Sequence, residues 1–177
     1  RTMNYMLDFF ETSCQFVSLV LLGIMKDGCE DLKNDPAIVK VIGKIDNKRP
    51  LSFGDWANDI LTPLVSLAAS RLPDNEFVKS ISAVISTKRH IILGRKNEPS
   101  IVKIRNEYKG HSTTLSEELY KNVVLQLEGR MAEYIQALLP LAEMKFVTKV
   151  PDGRSLIVNG RQPAEIPADE NLKNGHY

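Results

Sequence analysis

Two long apolar stripes at helical spacing constrain the fold of this chain more than any other feature. In residues 3–26 and again in residues 114–140, apolar side chains recur every three or four positions. The stripes consist of Met6, Phe9, Phe10, Cys14, Val17, Leu21 and Ile24, and of Leu115, Leu119, Val123, Leu127, Met131, Ile135 and Leu138. Such spacing places the side chains on one face of an α-helix, and that face has to be buried against other helices.

Start and stop signals for shorter helices lie between the two stripes. The predicted helices cover residues 37–45, 56–71, 75–93 and 100–110. Asp35 provides an N-cap for the first, Pro63 kinks the second, and Gly94 and Gly110 end the last two. Thr114 and Glu117 have the spacing of a capping box for the long final helix. The sequence therefore predicts a mainly α fold.

The last part of the chain changes character. Residues 145–150 and 155–158 are rich in β-branched side chains, and Pro151-Asp152-Gly153 between them is a turn signal. This pattern predicts a short C-terminal β-hairpin that could begin a further β domain. We expect a helical domain over residues 1–143, and a hairpin with a polar tail over residues 144–177.

Composition indicates an ordinary globular protein. Hydrophobic residues make up 43% and charged residues 25% of the chain, and the net charge is +1. These values exclude a disordered chain, and overall charge predicts neither a nucleic-acid nor a membrane surface as partner. Because the chain begins with Arg1 and ends in a polar stretch, we expect a domain excised from a longer multidomain protein.

Localisation is predicted from the apolar and cysteine content. The most apolar window, Phe16–Met25, has ten residues, whereas a membrane span needs about 20, which favours a core helix and no membrane. Cys14 and Cys29 have neither zinc-ligand spacing nor a CxxC pattern. Free thiols are typical of a reducing compartment, so we expect a cytoplasmic protein.

One run of residues points to chemistry, namely Arg105-Asn106-Glu107-Tyr108-Lys109-Gly110-His111. Histidine can take and return a proton near neutral pH, and arginine can bind a phosphate bidentately. Asn106 could orient either group through its amide. Since the 2′-hydroxyl of RNA is an internal nucleophile, such a site needs no metal and no cofactor. The run therefore predicts phosphodiester chemistry.

Local charge around this run favours a phosphate backbone as partner. Between Lys79 and Lys109 there are eight basic residues and two acidic ones. Lys103 and Lys109 lie within or directly beside the run and would add affinity for RNA. The alternative is that this stretch is an ordinary solvated helix face.

The Arg-polar-x4-His pattern, near the start of the last long helix of a helical chain, resembles that of the HEPN superfamily. Arg105-Asn106 matches the Arg-polar pair, and five residues, Asn106 included, lie between Arg105 and His111. The resemblance implies an up-down bundle of about five helices that forms a homodimer, with Arg105 and His111 as catalytic residues in a cleft between protomers. It also implies a metal-independent ribonuclease of bacterial toxin or antiviral-defence type.

Two alternatives remain beside the ribonuclease hypothesis. Some members of that superfamily are non-catalytic modules that sense a nucleotide or other ligand, or mediate assembly. A plain helical scaffold is the other alternative, in which Arg105 pairs with a carboxylate such as Glu107 or Glu117 and His111 caps the long helix.

Other distinctive residues have structural explanations. His90 follows Lys88 and Arg89 at a predicted helix end, where cations interact favourably with the helix dipole. In Phe53-Gly54-Asp55-Trp56, Asp55 is the predicted N-cap and Trp56 the predicted core anchor. Asp55 and Asp59, one helical turn apart, fit an ordinary solvated face.

Overall fold

Helices make up most of the described chain. The structure, a computed structural model, describes residues 2–29, 31–47, 49–86, 90–94, 98–110, 116–144, 146–149, 155–157 and 164–165. Within these ranges the α-helices are α1 (Thr2–Gly28), α2 (Pro36–Ile45), α3 (Thr62–Arg71), α4 (Glu76–Val84), α5 (Ile101–Arg105) and α6 (Glu117–Leu138). Two π-helical segments cover Asp55–Leu61 and Asn106–Gly110, and two 3-10 helices cover Leu32–Asn34 and Leu139–Glu143. The predicted mainly α fold is confirmed.

Helix α1 carries the core of the domain. It packs against the π-helical segment Asp55–Leu61 and against α3 and α6. Its fully buried side chains are Leu7, Phe10, Cys14, Val17, Leu21 and Met25. Full burial of one such side chain stabilises the fold by roughly 1.5–3 kcal/mol. The first predicted stripe is thus confirmed, with Phe9 and Ile24 at its margins, where they are half-buried.

The same helix is notable for its hydrophobicity. By length and composition, Thr2–Lys26 is the one helix among the described residues that could cross a membrane, and 44% of its most apolar stretch is buried inside the domain. Core helices of soluble proteins satisfy the same criterion, so this feature does not decide the location of the protein.

Helix α2 begins as its sequence predicts. The Asp35 carboxylate accepts a hydrogen bond from the Ala37 N–H at 2.9 Å, and Pro36 occupies the first turn. This backbone hydrogen bond is the main reason why the pKa of Asp35 lies below its usual value, and Arg71 at 3.2 Å adds to the effect. Asp35 is therefore the N-cap of α2 and also links it to α3.

The next helical stretch starts with a reciprocal capping box. The Ser52 hydroxyl accepts a hydrogen bond from the Asp55 N–H at 3.2 Å, and the Asp55 carboxylate accepts one from the Ser52 N–H at 2.9 Å. The prediction of Asp55 as N-cap was wrong, because the helix begins at Phe53 and Ser52 takes that position. Phe53 is 1% exposed, whereas Trp56 is only half-buried. Phe53 is thus the core anchor, and the prediction of Trp56 for that role was wrong.

Asp55 and Asp59 clamp a lysine. Lys44 of α2 lies 2.9 Å from the Asp55 carboxylate and 2.7 Å from that of Asp59. The hydrogen bond from Lys44 is the main reason why the pKa of Asp55 lies well below its usual range. The side chain of Asp55 is 16% exposed, so the expectation of a solvated face was wrong for Asp55, because packing of α2 covers it.

Loss of the capping box should destabilise the domain measurably. We expect Ser52→Ala to lower the free energy of unfolding by about 1 kcal/mol, because the Asp55 N–H then loses its acceptor at a helix start. Urea denaturation provides the measurement. Ser82→Ala is the matched control, since that hydroxyl only bonds back to the Lys79 carbonyl within α4. Equal losses in the two variants would contradict the role of Ser52 as N-cap.

The predicted kink at Pro63 takes the form of a π-helical segment. Proline has no N–H and cannot donate the α-helical hydrogen bond to residue 59. Just before it, the Thr62 N–H bonds to the Ala57 carbonyl, five residues back, and the Thr62 hydroxyl donates to the same carbonyl at 2.7 Å. The wider turn over Asp55–Leu61 thus absorbs the effect of the proline.

Helix α4 ends nine residues earlier than predicted. It stops at Val84 instead of Leu93, and Ile85 then forms a β-bridge with His90. The Ile91 N–H donates to the Val84 carbonyl at 2.9 Å, which folds the chain back on itself. Gly94 adopts φ +77°, and a Cβ there would lie 2.6 Å from the Glu98 carbonyl oxygen. Gly94 therefore closes a turn and does not end a helix.

The long helix α6 starts later and buries a different face than predicted. It begins at Glu117, and the Ser116 hydroxyl accepts a hydrogen bond from the Leu119 N–H at 3.3 Å, while the predicted cap Thr114 lies outside the described residues. The side chains buried within α6 are Val123, Leu127, Tyr134 and Ala137, while Leu119 is 46% and Ile135 38% exposed. The prediction that Leu119 and Ile135 belong to the buried stripe was therefore wrong. The stripe's steps of four residues advance by about 40° each on a helix of 3.6 residues per turn, so it winds around α6.

The chain divides into two compact units, Arg1–Leu138 and Leu139–Tyr177. In the second unit, a 3-10 helix (Leu139–Glu143) contains Pro140, and three strands come after it: β1 (Val147–Lys149), β2 (Ser155–Ile157) and β3 (Ala164–Glu165). They pair antiparallel in the order β1-β2-β3, with Thr148 opposite Leu156. The predicted turn at residues 151–153 lies outside the described residues, so the hairpin as a whole stays a prediction.

Candidate functional site

Arg105 is the last residue of α5, directly before the π-helical segment Asn106–Gly110. The short helix is anchored by Ile101 and Ile104, which are 0% and 2% exposed, and it is capped by the Ser100 hydroxyl. The Arg105 side chain is 29% exposed. It thus lies at the edge of the buried stripe, with its aliphatic part covered and part of its charged end in contact with solvent.

The partner of Arg105 is Glu11 on α1. Arg105 Nε lies 3.4 Å from Glu11 Oε2, and Arg105 Nη2 lies 3.4 Å from Glu11 Oε1. The predicted alternative of a carboxylate partner is confirmed, but its identity was wrong. Glu107 pairs with Lys103 at 3.7 Å and Glu117 with Lys121 at 2.7 Å. In each of these two pairs the residues lie four positions apart along the chain. Glu11, by contrast, reaches Arg105 because α1 packs on α5.

The guanidinium group is held loosely on two sides. Its Nη1 donates to Asn106 Oδ1 at 3.4 Å. The contacts of Arg105 to Glu11 and Asn106 are thus all longer than the 2.7–2.9 Å usual for charge-assisted hydrogen bonds. The Nε atom is buried and makes no hydrogen bond of good geometry to the described residues. Since a guanidinium has five N–H groups, the Nη atoms retain donor capacity toward an anion.

The other residues of the predicted site are placed only in part. Asn106 is exposed and contacts Arg105, and the side chain of Lys103 is 66% exposed. The side chain of Lys109 and the whole of His111 lie outside the described residues. The structure thus brings Arg105, Asn106 and the unpredicted Glu11 together, and the geometry between Arg105 and His111 stays a prediction.

Carboxylates accompany the described cations of the basic stretch. Lys79 lies 3.5 Å from Asp74, Lys103 lies 3.7 Å from Glu107, and Arg105 has Glu11. Exposed pairs of this kind are weak, and salt screens them. Over the part of this stretch that the structure describes, local charge is therefore balanced more closely than the sequence count suggests.

His90 is a buried, neutral histidine and not a cation at a helix end. It is 8% exposed and lies beyond the end of α4, so the predicted interaction with the helix dipole was wrong. The Leu93 N–H donates to its Nδ1 at 3.0 Å, and its Nε2 lies 2.9 Å from the Thr62 hydroxyl oxygen. Because the Thr62 hydroxyl donates its single hydrogen to Ala57, Nε2 carries the proton and donates to Thr62.

Burial lowers the pKa of His90 to about 4. Both ring nitrogens already have partners, so His90 fixes the turn after α4 to the π-helical segment and has no lone pair available for catalysis. The sequence held one signal of this burial, the apolar run Ile91-Ile92-Leu93 directly after the histidine.

A cleft of about 360 Å³ opens beside His90. Its charged lining residues are Glu98, Arg130 and Glu133. The Arg130 side chain is 12% exposed, and it donates to the Pro99 carbonyl at 2.8 Å and to the Glu98 carboxylate at 3.1 Å. Arg130 is therefore committed to holding the segment before α5 against α6, and no sequence pattern pointed to it.

The cysteines are free thiols in the described structure. Cys14 is fully buried, and burial, with a smaller contribution from Glu11, raises its pKa far above the usual value. A thiol in this state is a poor nucleophile. Over the described residues, no group of three or more His, Cys, Asp or Glu side chains is arranged to hold a metal ion.

We compared the chain with models of protein families, with curated proteins and with solved structures, and none of the three comparisons gave a match.

Proposed function

We propose that this chain is a HEPN-type, metal-independent ribonuclease domain in which Arg105 holds the scissile phosphate and His111 moves the proton. One observation carries the proposal, namely that Arg105 is half-buried and oriented by two partners at the junction of α5 and a π-helical segment. Single-turn π-helical segments within helices are frequent at functional sites. The two partners restrict the orientations of the Arg105 side chain, which lowers the entropic cost of binding phosphate.

The chemistry follows from the residue types. The RNA 2′-oxygen attacks the adjacent phosphorus while His111 takes the 2′-hydroxyl proton. The bond from phosphorus to the 5′-oxygen breaks, and the protonated His111 gives its proton to the leaving 5′-oxygen, which leaves a 2′,3′-cyclic phosphate. Arg105 stabilises the negative charge on the non-bridging oxygens. In this proposal Asn106, Lys103 and Lys109 contact the RNA backbone, and neither a metal ion nor a cofactor is needed.

The same proposal includes the assembly and the setting. We propose a homodimer, because the resemblance to the HEPN superfamily implies that Arg105 and His111 of two copies meet in one cleft. We propose a cytoplasmic protein of bacterial toxin or antiviral-defence type, with this domain as one part of a larger chain.

We expect the purified protein to cleave single-stranded RNA in the presence of EDTA. Arg105→Ala should lower the cleavage rate by about 100-fold, because one oriented charge on the phosphate is lost. His111→Ala should lower it by about 100-fold or more, because the proton acceptor is lost. Gel analysis of a labelled oligoribonucleotide measures both rates, and a cyclic phosphate end on the product identifies attack by the 2′-hydroxyl.

Arg71→Ala is the matched control, since Arg71 is likewise an arginine paired with a carboxylate, Asp35, on the same unit. It should leave cleavage unchanged. Cleavage that needs added metal, or that persists in His111→Ala, would show that the proposed chemistry is wrong.

A non-catalytic module that binds RNA or a nucleotide is the second candidate function. The observation that favours it is the Glu11 carboxylate beside Arg105, because a neutralised arginine stabilises a phosphorane-like transition state less well. A protein that binds the oligoribonucleotide through Arg105 but never cuts it would select this candidate.

A further inference from the structure

Glu11 is the one residue at the Arg105 site that no sequence pattern indicated. Its carboxylate faces the side edge of the guanidinium, with Oε2 3.4 Å from Nε and Oε1 3.4 Å from Nη2. The two side chains are 21% and 29% exposed. Water therefore screens this pair less than it screens the exposed pairs of the domain.

The carboxylate is carried by α1, a helix with six fully buried hydrophobic side chains. Its neighbours along α1, Phe10 and Cys14, are both fully buried. The helix cannot rotate to move Glu11 away from Arg105 without exposing those side chains. The packing of α1 therefore fixes the backbone position of Glu11 beside Arg105.

A bound phosphate would experience both charges. Coulomb energy falls as the inverse of distance, so a carboxylate about 7 Å from the phosphate cancels more than half of the attraction of an arginine about 4 Å away at equal dielectric constant. The long contacts between Glu11 and Arg105 give little hydrogen-bond energy in return. The net effect of Glu11 on an anionic ligand is thus repulsive.

We propose that Glu11 is a built-in counter-charge that lowers the affinity of the Arg105 site for the RNA phosphate backbone. The inference rests on the proposed function, since it assumes that Arg105 contacts phosphate. It predicts that the ion pair between Glu11 of α1 and Arg105 of α5 keeps the affinity of this site for RNA low. Weak binding would favour release of cleaved RNA, and any partner that displaces Glu11 would increase the affinity.

The test measures the affinity for a 2′-O-methylated single-stranded oligonucleotide, which has no free 2′-hydroxyl and is not cleaved. Fluorescence anisotropy between about 50 and 200 mM KCl gives both the Kd and its salt dependence. We expect Glu11→Gln to lower the Kd about tenfold at the lowest salt, because the amide keeps an acceptor for Arg105 but removes the charge. The slope of log affinity against log salt should steepen by about 0.7, as for one additional unpaired cation on a single strand.

Two further variants separate the possible outcomes. Glu128→Gln removes an equal charge from an exposed position on α6 and should change the affinity less than twofold. In Arg105→Ala the additional Glu11→Gln change should have no effect. An unchanged or weaker affinity in Glu11→Gln would contradict the proposal that Glu11 acts as a counter-charge. A gain in affinity that persists in the Arg105→Ala background would contradict it too.

Failure of the proposed function has a different signature. If Arg105→Ala binds the oligonucleotide as well as the wild type does, Arg105 does not contact phosphate and both proposals fall. If Arg105→Ala weakens binding while Glu11→Gln changes nothing, only the inference about Glu11 is wrong. Thermal denaturation of each variant verifies that the fold is retained, and a Glu11→Gln protein that binds less tightly while folding normally would assign Glu11 a positioning role instead.

Discussion

At pH 5 the domain is expected to be about 2 kcal/mol less stable than at pH 7.5 because of His90 alone, and at pH 4 about 3 kcal/mol less stable. The cause is the difference between the folded pKa of about 4 and the usual value of about 6.5 in the unfolded chain. Protonation is disfavoured in the fold because the ring is buried and because Nδ1 must accept the Leu93 N–H.

The sign of the effect follows from proton uptake. Between pH 6.5 and 4 the unfolded chain binds a proton at His90 and the folded domain does not, so a fall in pH favours unfolding. Above pH 6.5 the contribution is constant, and below pH 4 its loss is complete. Glu98, Glu133 and Arg130 line the cleft beside His90. Asp35 and Asp55 have lowered pKa values, so they lose their contribution only below about pH 4.

Urea denaturation at several pH values between 7.5 and 5 measures this effect, with His90→Gln as the matched variant. That variant should be less stable at pH 7.5, because its contacts to Thr62 and Leu93 change, but its stability should vary with pH by about 2 kcal/mol less than that of the wild type. Nitrogen NMR shifts should identify the Nε2–H form of His90. Equal pH dependence in the two proteins would show that His90 titrates normally in the fold.

Tyr134→Ala is expected to lower the free energy of unfolding by about 3–5 kcal/mol. Tyr134 is fully buried on α6 and stacks on Phe10 of α1, with ring centroids 5.8 Å apart and an interplanar angle of 27°. Phe9 contacts both rings edge-on at 5.6 and 6.2 Å. Truncation would leave a cavity where α1 and α6 meet, and a rigid aromatic cluster cannot collapse to fill it.

The phenol hydroxyl of Tyr134 leads to a second prediction, because its removal alone should not destabilise the domain. It is buried and makes no hydrogen bond of good geometry within the described part of the chain, because the Ser13 hydroxyl, which lies close enough to lower the pKa of Tyr134 slightly, donates to the Phe10 carbonyl. Burial also raises the pKa of Tyr134 well above its usual value. We therefore expect Tyr134→Phe to be neutral or to stabilise the domain by up to about 1 kcal/mol, because an unsatisfied polar group is removed.

Urea denaturation of the two variants beside Ile135→Ala measures both effects. Ile135 is the next residue on α6 and is 38% exposed, so its truncation should cost less than about 1.5 kcal/mol. A loss of more than about 1 kcal/mol in Tyr134→Phe would show that the hydroxyl has a partner in the folded protein. A small loss in Tyr134→Ala would contradict the burial of this ring between the two helices.

The local features of the fold could be predicted from the sequence. The stripe along α1, the Asp35 cap of α2 and the effect of Pro63 each depend on residues within a few positions of one another. Their physical causes are helical spacing, a side chain reaching a nearby backbone N–H, and a missing donor. For this reason the mainly α fold was predictable, and so was the position of Arg105 at the edge of a buried face.

Errors arose where two elements meet. The stripe predicted on α6 followed steps of four residues, but the face that is buried was selected by α1 and α4, which pack against it. Helix α4 could have continued past Val84 by its own pattern, yet the bridge between Ile85 and His90 and the contact to Thr62 ended it. Tertiary contacts override weak local preferences because packing energies exceed propensity differences of a few tenths of a kcal/mol.

The candidate site also has features that the sequence predicts and features that depend on tertiary packing. The sequence by itself determined that an arginine, an asparagine and a histidine lie within seven positions. The end of α5 at Arg105 was not predicted, because the sequence pattern continues the helix to Gly110. Only the tertiary structure decided that a carboxylate 94 residues away in the chain neutralises this arginine. The physical reason is that an ion pair depends on the distance between charges in space, and that distance is set by how α1 packs on α5, not by any spacing along the chain.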